Sequence, residues 1–102
     1  MLTVPPKIMP IQSLKDVLRQ GMRALITCSI IEGDLPITFR FEKDGQIVEG
    51  MTRRMDEYTA SLVIENISPD HAGNYTCVAS NQAGIESFTV PLTVNGIFFK
   101  KI

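Results

Sequence analysis

The only two cysteines of the chain, Cys28 and Cys77, lie 49 positions apart, and each falls in a segment where apolar and polar residues alternate. This spacing suits neither a zinc site nor a redox-active Cys-x-x-Cys motif, whose cysteines lie close together in sequence. It suits one disulfide, and disulfides form in oxidising compartments. The alternative is a cytosolic protein with two buried thiols.

Alternation of apolar and polar residues recurs along most of the chain and is typical of half-buried strands. Ile and Val together outnumber Leu by 19 to 7, which also favours strands. The predicted strands are residues 22–30, 37–42, 58–67, 74–79 and 88–94, with shorter extended pieces at 7–11, 46–51 and 52–57. With turn signals between them and no sustained helical period, they predict an all-β fold, an antiparallel sandwich of two sheets. Cys28 and Cys77 face inward in it, so we expect their disulfide to join the sheets.

The composition argues against several classes of function. The chain has 10 basic and 11 acidic residues, a net charge of −1, and no basic run longer than two. A nucleic-acid interface needs clustered Lys and Arg, so we expect none. No apolar run approaches the roughly 18 residues of a membrane-spanning helix, so we expect no insertion into the membrane. His71 is the only histidine, and no catalytic, metal-binding or phosphate-binding motif is found, so we expect no enzyme, metal or cofactor.

Residues 70–77 read Asp-His-Ala-Gly-Asn-Tyr-Thr-Cys, which resembles the tyrosine-corner signature of immunoglobulin domains. Gly21, the Lys43-Asp44-Gly45 hairpin signal and the turn at residues 81–84 extend the resemblance to intermediate-set (I-set) immunoglobulin domains. In such a corner Tyr75 needs a backbone partner for its hydroxyl, Asp70 caps the turn, and Gly73 permits a tight backbone.

The family expects a Trp that packs against the disulfide, and this chain has no Trp. We expect Phe41 to hold that place as the core aromatic, with Phe39 as the alternative. A phenyl ring still fills the core, but it buries less area than an indole.

Two segments narrow the resemblance further. Gly33-Asp34-Leu35-Pro36-Ile37 and Val4-Pro5-Pro6 resemble domains of the Dscam (Down syndrome cell adhesion molecule) family, including the variable first domain of shortened chelicerate forms. The resemblance implies the extracellular part of a single-pass plasma membrane receptor. It also implies homophilic, isoform-specific adhesion between cells through an antiparallel contact of like domains. The alternatives are an intracellular I-set spacer of a giant muscle scaffold, and a ligand-binding ectodomain of a receptor kinase or a secreted decoy.

The domain organisation follows from the same resemblance, which covers residues 5–95. Residues 1–4 are interpreted as a junction or as residues added for expression, and 96–102 as a linker, the start of the next domain or a tag. Residues 1–6 lack the basic and apolar regions of a signal peptide. We therefore expect a fragment of a longer chain, with neighbouring domains of that chain as partners.

Two N-glycosylation acceptors are present. Asn74-Tyr75-Thr76 is complete, and its Asn is expected to face outward because Tyr75 and Cys77 face inward. Asn66-Ile67-Ser68 is followed directly by Pro69, and we expect it to be the poorer site.

The candidate self-association face lies on the sheet that the family builds from its strands A, B, E and D. Leu25 and Val63 are expected to point outward as its apolar centre. The expected polar rim is Arg23, Thr27, Ser61, Glu65 and Arg53. Arg23 and Glu65 could pair across a two-fold axis, in a weak antiparallel dimer. The mostly polar face of the other sheet is the alternative. For Arg53-Arg54, one expectation is pairing with Asp70, and the equal alternative is a solvated pair of charges.

Overall fold

The computed structural model describes residues 3–11 and 18–95. The described residues form ten strands: β1 (Lys7–Ile8), β2 (Leu18–Arg19), β3 (Ala24–Glu32), β4 (Thr38–Lys43), β5 (Gln46–Ile47), β6 (Thr52–Asp56), β7 (Thr59–Ile64), β8 (Gly73–Asn81), β9 (Gly84–Leu92) and β10 (Val94–Asn95). One turn of 3-10 helix, Pro69–His71, precedes β8. Residues 96–102, which we predicted to be a linker, the start of the next domain or a tag, lie outside the described part.

The two larger sheets have four strands each, in the orders β1-β3-β7-β6 and β5-β4-β8-β9, and every pairing within them is antiparallel. The short β2 and β10 pair in parallel. The prediction of an all-β, two-sheet antiparallel immunoglobulin sandwich is confirmed. The first sheet corresponds to the family's strands A, B, E and D, and the second contains the tyrosine corner.

The core forms where the inward side chains of the two sheets meet. In β3, Ala24, Ile26, Cys28 and Ile30 are buried, and the residues between them are exposed or half-buried. The disulfide between Cys28 and Cys77 joins β3 of one sheet to β8 of the other, with their Cα atoms 6.4 Å apart. Phe41 is fully buried and is paired in register with Cys77.

Phe39, two residues before Phe41, is only half-buried, and its ring is covered by a charged side chain. The guanidinium carbon of Arg54 on β6 lies 4.9 Å from the centroid of the Phe39 ring, a cation–π distance. Arg54 also donates hydrogen bonds to the carbonyl oxygens of Asp56 and Glu57. The expected pairing of Arg53-Arg54 with Asp70 is wrong, since no ion pair within residues 18–95 joins either arginine to that carboxylate.

The Asp-Gly hairpin signal is confirmed in the turn between β4 and β5. Lys43 pairs with Gln46, so the turn has two residues, Asp44 and Gly45. Their φ angles of 49° and 88° are both left-handed, as a type I′ turn requires. Other boundaries differ from the prediction: β1 and β5 are shorter, β3 continues two residues further, and Val94 pairs with β2 rather than ending β9.

Candidate functional site

The tyrosine corner joins the 3-10 turn to the start of β8. The buried Tyr75 donates its hydroxyl hydrogen to the carbonyl oxygen of His71, with 2.5 Å between the two oxygens. His71 accepts a hydrogen bond at its Nδ1 from the backbone N–H of Ser68 at 2.9 Å. The sole histidine therefore helps to shape this turn.

Asp70 does not cap the turn, and this expectation is wrong. Ser68 is the N-cap residue, and its reciprocal contacts with His71 close the turn. Asp70 is exposed in the first turn, and its carboxylate accepts no hydrogen bond within the described residues. Its negative charge still favours the turn, because the N–H groups at the start of a helix carry partial positive charge.

Gly73 is required by a close approach between two loops. A Cβ atom at this position would lie 2.5 Å from Oδ2 of Asp44. Asp44 accepts the Asn74 N–H at its Oδ1 and donates its own N–H to the Asn74 carbonyl oxygen, both at 2.9 Å. The β4–β5 hairpin thus docks onto the start of β8, and a side chain at residue 73, where φ is 155°, would displace the Asp44 carboxylate that accepts the Asn74 N–H.

The candidate self-association face has a different centre from the predicted one. We call it the β3 face, the outer surface of the β1-β3-β7-β6 sheet, and it carries Arg23, Leu25, Thr27, Ile31, Arg53 and Glu65. Leu25 is 45% exposed, as expected, whereas Val63 is only 4% exposed and Ser61 only 1%. The expectation that these last two residues are available to a partner is wrong.

The burial of Val63 and Ser61 follows from the central place of β7 in its sheet. Val63 is paired with the longer Leu25 on one side, and on the other its N–H bonds the carbonyl oxygen of Met51 at 2.9 Å. Ser61 lies between Arg53 and Thr27, and its hydroxyl is 2.9 Å from that of Thr27. Short side chains on a central strand are covered by longer neighbours on both sides.

Two of the three rim charges of the β3 face, Arg23 and Glu65, are already paired with each other within the chain. Nε of Arg23 lies 3.2 Å from Oε1 of Glu65, and both side chains are more than half exposed. An Arg23–Glu65 pair between two copies, across a two-fold axis, would have to replace this pair within one copy. An exposed ion pair of this kind contributes roughly 0–1 kcal/mol, so such an exchange costs little.

Two exposed apolar residues on the first sheet were missed from the sequence. Ile31 is 50% exposed and follows the outward alternation of β3 past its predicted end, so extending that pattern by one residue would have found it. Met55 is exposed at the irregularity between Arg54 and Asp56 on β6, and no sequence signal marked this irregularity.

The outer surface of the other sheet, which we call the β8 face, is mostly polar and internally satisfied. It carries Thr38, Arg40, Glu42, Asn74, Thr76, Ser80, Ile85 and Thr89. Its hydroxyls pair with one another, Thr38 with Ser80 and Thr76 with Thr89, each pair at 2.7 Å, and Arg40 binds Glu42 at 2.8 Å. Its exposed apolar residues, Ile47 and Ile85, are separated from each other because they lie on the opposite edge strands β5 and β9.

The N-terminal segment is fastened by one side chain that sequence reasoning did not single out. Asn81 donates through Nδ2 to the carbonyl oxygens of Val4 and Asp34, at 2.8 and 2.9 Å. Its Oδ1 accepts the N–H groups of Ala83 and Gly84. Val4 and Asp34 are also joined by two further hydrogen bonds. The backbone at Val4 is therefore fixed against the turns that contain Asp34 and Asn81.

Comparison with known proteins identifies this arrangement. A family model described as "Immunoglobulin domain" matches residues 5–81. Human "Cell adhesion molecule DSCAM" is 42% identical over 83 residues, which cover 78% of this chain and 4% of that protein. The chain belongs to the immunoglobulin family, as a Dscam-like domain. Drosophila melanogaster "Cell adhesion molecule Dscam2" is 35% identical to this Dscam-like domain over 95 residues, which cover 89% of the chain and 4% of that protein.

Solved structures agree with this assignment. The Dscam-like domain matches the Dscam1 Ig7 domain, isoform 5, with a TM-score of 0.85 and 30% identity over 92% of this chain and 100% of that one. It also matches an I-band fragment of titin, I67–I69, with a TM-score of 0.81 and 30% identity over 91% of this chain and 33% of that one. The chain spans about 4% of the length of the curated relatives above.

Neither a metal centre nor a membrane span is found in residues 3–11 and 18–95. These residues hold no group of three His, Cys, Asp or Glu side chains that could bind a metal ion. No helix in this part of the chain has the length and apolar character needed to cross a membrane.

Proposed function

We propose that this Dscam-like domain is an extracellular recognition module of a single-pass cell-adhesion receptor and that it binds a like domain, isoform-specifically, through its β3 face. The choice of the β3 face rests on one observation. On the β3 face, Leu25 and Ile31 leave apolar surface in water along one strand, while the Thr27 hydroxyl between them is bonded to that of Ser61 within the sheet. Burying such surface against a second copy gains free energy and leaves few polar groups unsatisfied.

An antiparallel, two-fold arrangement suits the distribution of these residues. Leu25 and Ile31 lie at the same distance on either side of Cys28 along β3. An antiparallel two-fold axis near that position would set Leu25 of one copy against Ile31 of the other. Each interface residue then appears twice, so one substitution changes the contact twice, which favours discrimination between isoforms.

The affinity should be low. The apolar surface that this face exposes is limited to Leu25 and Ile31, and association has its own entropic cost. We expect dissociation constants of about micromolar or weaker for the single domain. Neighbouring domains of the same chain would then raise the avidity.

The alternative function is an intracellular spacer of a muscle scaffold, and the structural similarity to the titin fragment supports it. The disulfide between Cys28 and Cys77 favours the extracellular function, because cytosolic proteins rarely keep such a bond. The chelicerate receptor with a variable first domain remains our suggestion for the parent protein.

Sedimentation equilibrium over a wide concentration range tests this proposal. Leu25→Asp should abolish association because it places a charge in the apolar part of the contact. Ile85→Asp is the matched control, an equally drastic change of an exposed apolar residue on the β8 face, and Thr38→Asp is a second control on that face. Both controls should associate like the parent. The reverse ranking would show that the β3 face is the wrong face, and a parent that is monomeric at millimolar concentration would refute homophilic binding by this domain alone.

A further inference from the structure

The Asn74-Tyr75-Thr76 acceptor lies where a bound oligosaccharide would have room. Asn74 is exposed on β8, and the buried Tyr75 and Cys77 fix its direction outward onto the β8 face. The backbone at this residue is held by the two hydrogen bonds to Asp44 described above. Its carboxamide makes no hydrogen bond within the described residues, so modification would break none there.

The second acceptor differs in the residues that surround it. Asn66 is exposed, but Ile67 is fully buried and Ser68 is engaged with His71 in the 3-10 turn. Pro69 restricts Ser68 to an extended backbone, observed with φ −128° and ψ 168°. A proline directly after an acceptor triplet thus limits the conformations in which the triplet can be recognised.

We propose that Asn74, and not Asn66, carries an N-linked oligosaccharide in the secretory pathway. The donor is a lipid-linked oligosaccharyl diphosphate, used by a membrane transferase. Nδ2 of Asn74 forms a bond to the anomeric carbon of the first sugar and releases one of its two protons to the solvent. The bond between that carbon and the diphosphate oxygen breaks, and the lipid diphosphate leaves with the electron pair. No oxidation or reduction takes place.

The consequence is an asymmetry between the two outer faces. An oligosaccharide at Asn74 covers the hydroxyl pair of Thr76 and Thr89 beside it and hinders a flat contact of the β8 face with any protein. The residues of the β3 face include no acceptor triplet. This consequence rests on the proposed function. If that function holds, the oligosaccharide leaves the β3 face uncovered, so that binding takes place there.

The test is secretion of the chain from cultured animal cells behind an added signal sequence, followed by peptide mapping with and without a peptide amidase that removes N-glycans. The expected result is a glycan on the peptide that contains Asn74 and none on that containing Asn66. Thr76→Val should abolish the modification, whereas Thr76→Ser, which keeps both the acceptor and the hydroxyl that faces Thr89, should retain it. Secreted parent protein without a glycan at Asn74, or with one at Asn66, would overturn the proposal.

Sedimentation of the glycosylated and enzymatically deglycosylated forms separates this inference from the proposed function. Equal association of the two forms supports a bare β3 face as the contact. Glycan at Asn74 combined with association only after its removal would leave the modification site standing and refute the choice of the β3 face.

Discussion

Phe41 on β4 is paired in register with Cys77 on β8, and both side chains are buried in the interior of the sandwich. The ring therefore lies beside the disulfide, where we expect it to hold the place of the family's Trp. Phe39, two residues earlier on the same strand, adds a second, half-buried ring that Arg54 covers from the opposite sheet.

Phe41→Ala should lower the free energy of unfolding by about 3–5 kcal/mol, because it removes a fully buried ring and leaves a cavity. Denaturant unfolding of the oxidised protein measures this. Phe39→Ala is the matched control and should cost clearly less, since Phe39 is only half-buried. A Phe41 variant within about 1 kcal/mol of the parent would show that this ring is not the core aromatic.

The disulfide should protect both cysteines from alkylation. Folded, unreduced protein is expected to gain no mass with iodoacetamide, and two alkyl groups after reduction and unfolding. The double variant Cys28→Ala, Cys77→Ala should be less stable by about 4 kcal/mol, from the chain-entropy cost of a loop this long. Two reactive thiols in protein secreted by animal cells would contradict the bond and favour the intracellular spacer.

Tyr75→Phe should cost about 0.5–1.5 kcal/mol at neutral pH, because the hydrogen bond to the His71 carbonyl oxygen is lost. The exposed Tyr58 provides the control, and Tyr58→Phe should leave stability unchanged. Equal stability of Tyr75→Phe and the parent would count against a stabilising hydroxyl in this corner.

Stability should also fall at alkaline pH through Tyr75. Burial, and to a smaller extent the charge of Asp44, raises the pKa of Tyr75 above its ordinary value of 10.0. A raised folded-state pKa contributes stability that is complete below the unfolded value and is lost as the pH rises through the folded value. Unfolding measured from pH 8 upward should therefore show a steeper decline above about pH 10 for the parent than for Tyr75→Phe; parallel curves would refute the link.

Asn81→Ala should release the N-terminal segment. All four hydrogen bonds of the carboxamide are lost, at an expected cost of about 1–3 kcal/mol. Hydrogen exchange at the Asp34 amide, which donates to the Val4 carbonyl oxygen at 3.0 Å, should become faster. The neighbouring Gln82→Ala, an exposed position, is the control. Unchanged exchange in Asn81→Ala would show that the other contacts of residues 4–6 suffice.

Much of the fold was predictable because local patterns and global packing agree. Period-two alternation located β3, β4, β8 and β9, the Asp44-Gly45 pair located the two-residue hairpin, and the motif at residues 70–77 located the tyrosine corner. In each case the signal lies within a few residues, so no knowledge of distant contacts is needed.

The site was less predictable because exposure depends on neighbours that are distant in sequence. Alternation correctly sets Val63 outward, but its burial follows from the size of Leu25 on β3 and of Met51, which lies just before β6. Ser68, and not Asp70, is the N-cap of the 3-10 turn because the His71 ring accepts the Ser68 N–H and so completes the reciprocal contact between these two residues. The four bonds of Asn81 join three segments that no local pattern relates.

The disulfide also limits how far this domain can be stretched. Cys28 and Cys77 enclose a sequence separation of 49 residues, which would extend to about 170 Å if the strands were pulled apart. With the bond intact, a mechanical load on the two ends can lengthen only the residues outside this loop. In the adhesion receptor proposed above, this domain would then lengthen by short increments, whereas the same domain with reduced cysteines would release its whole length at once.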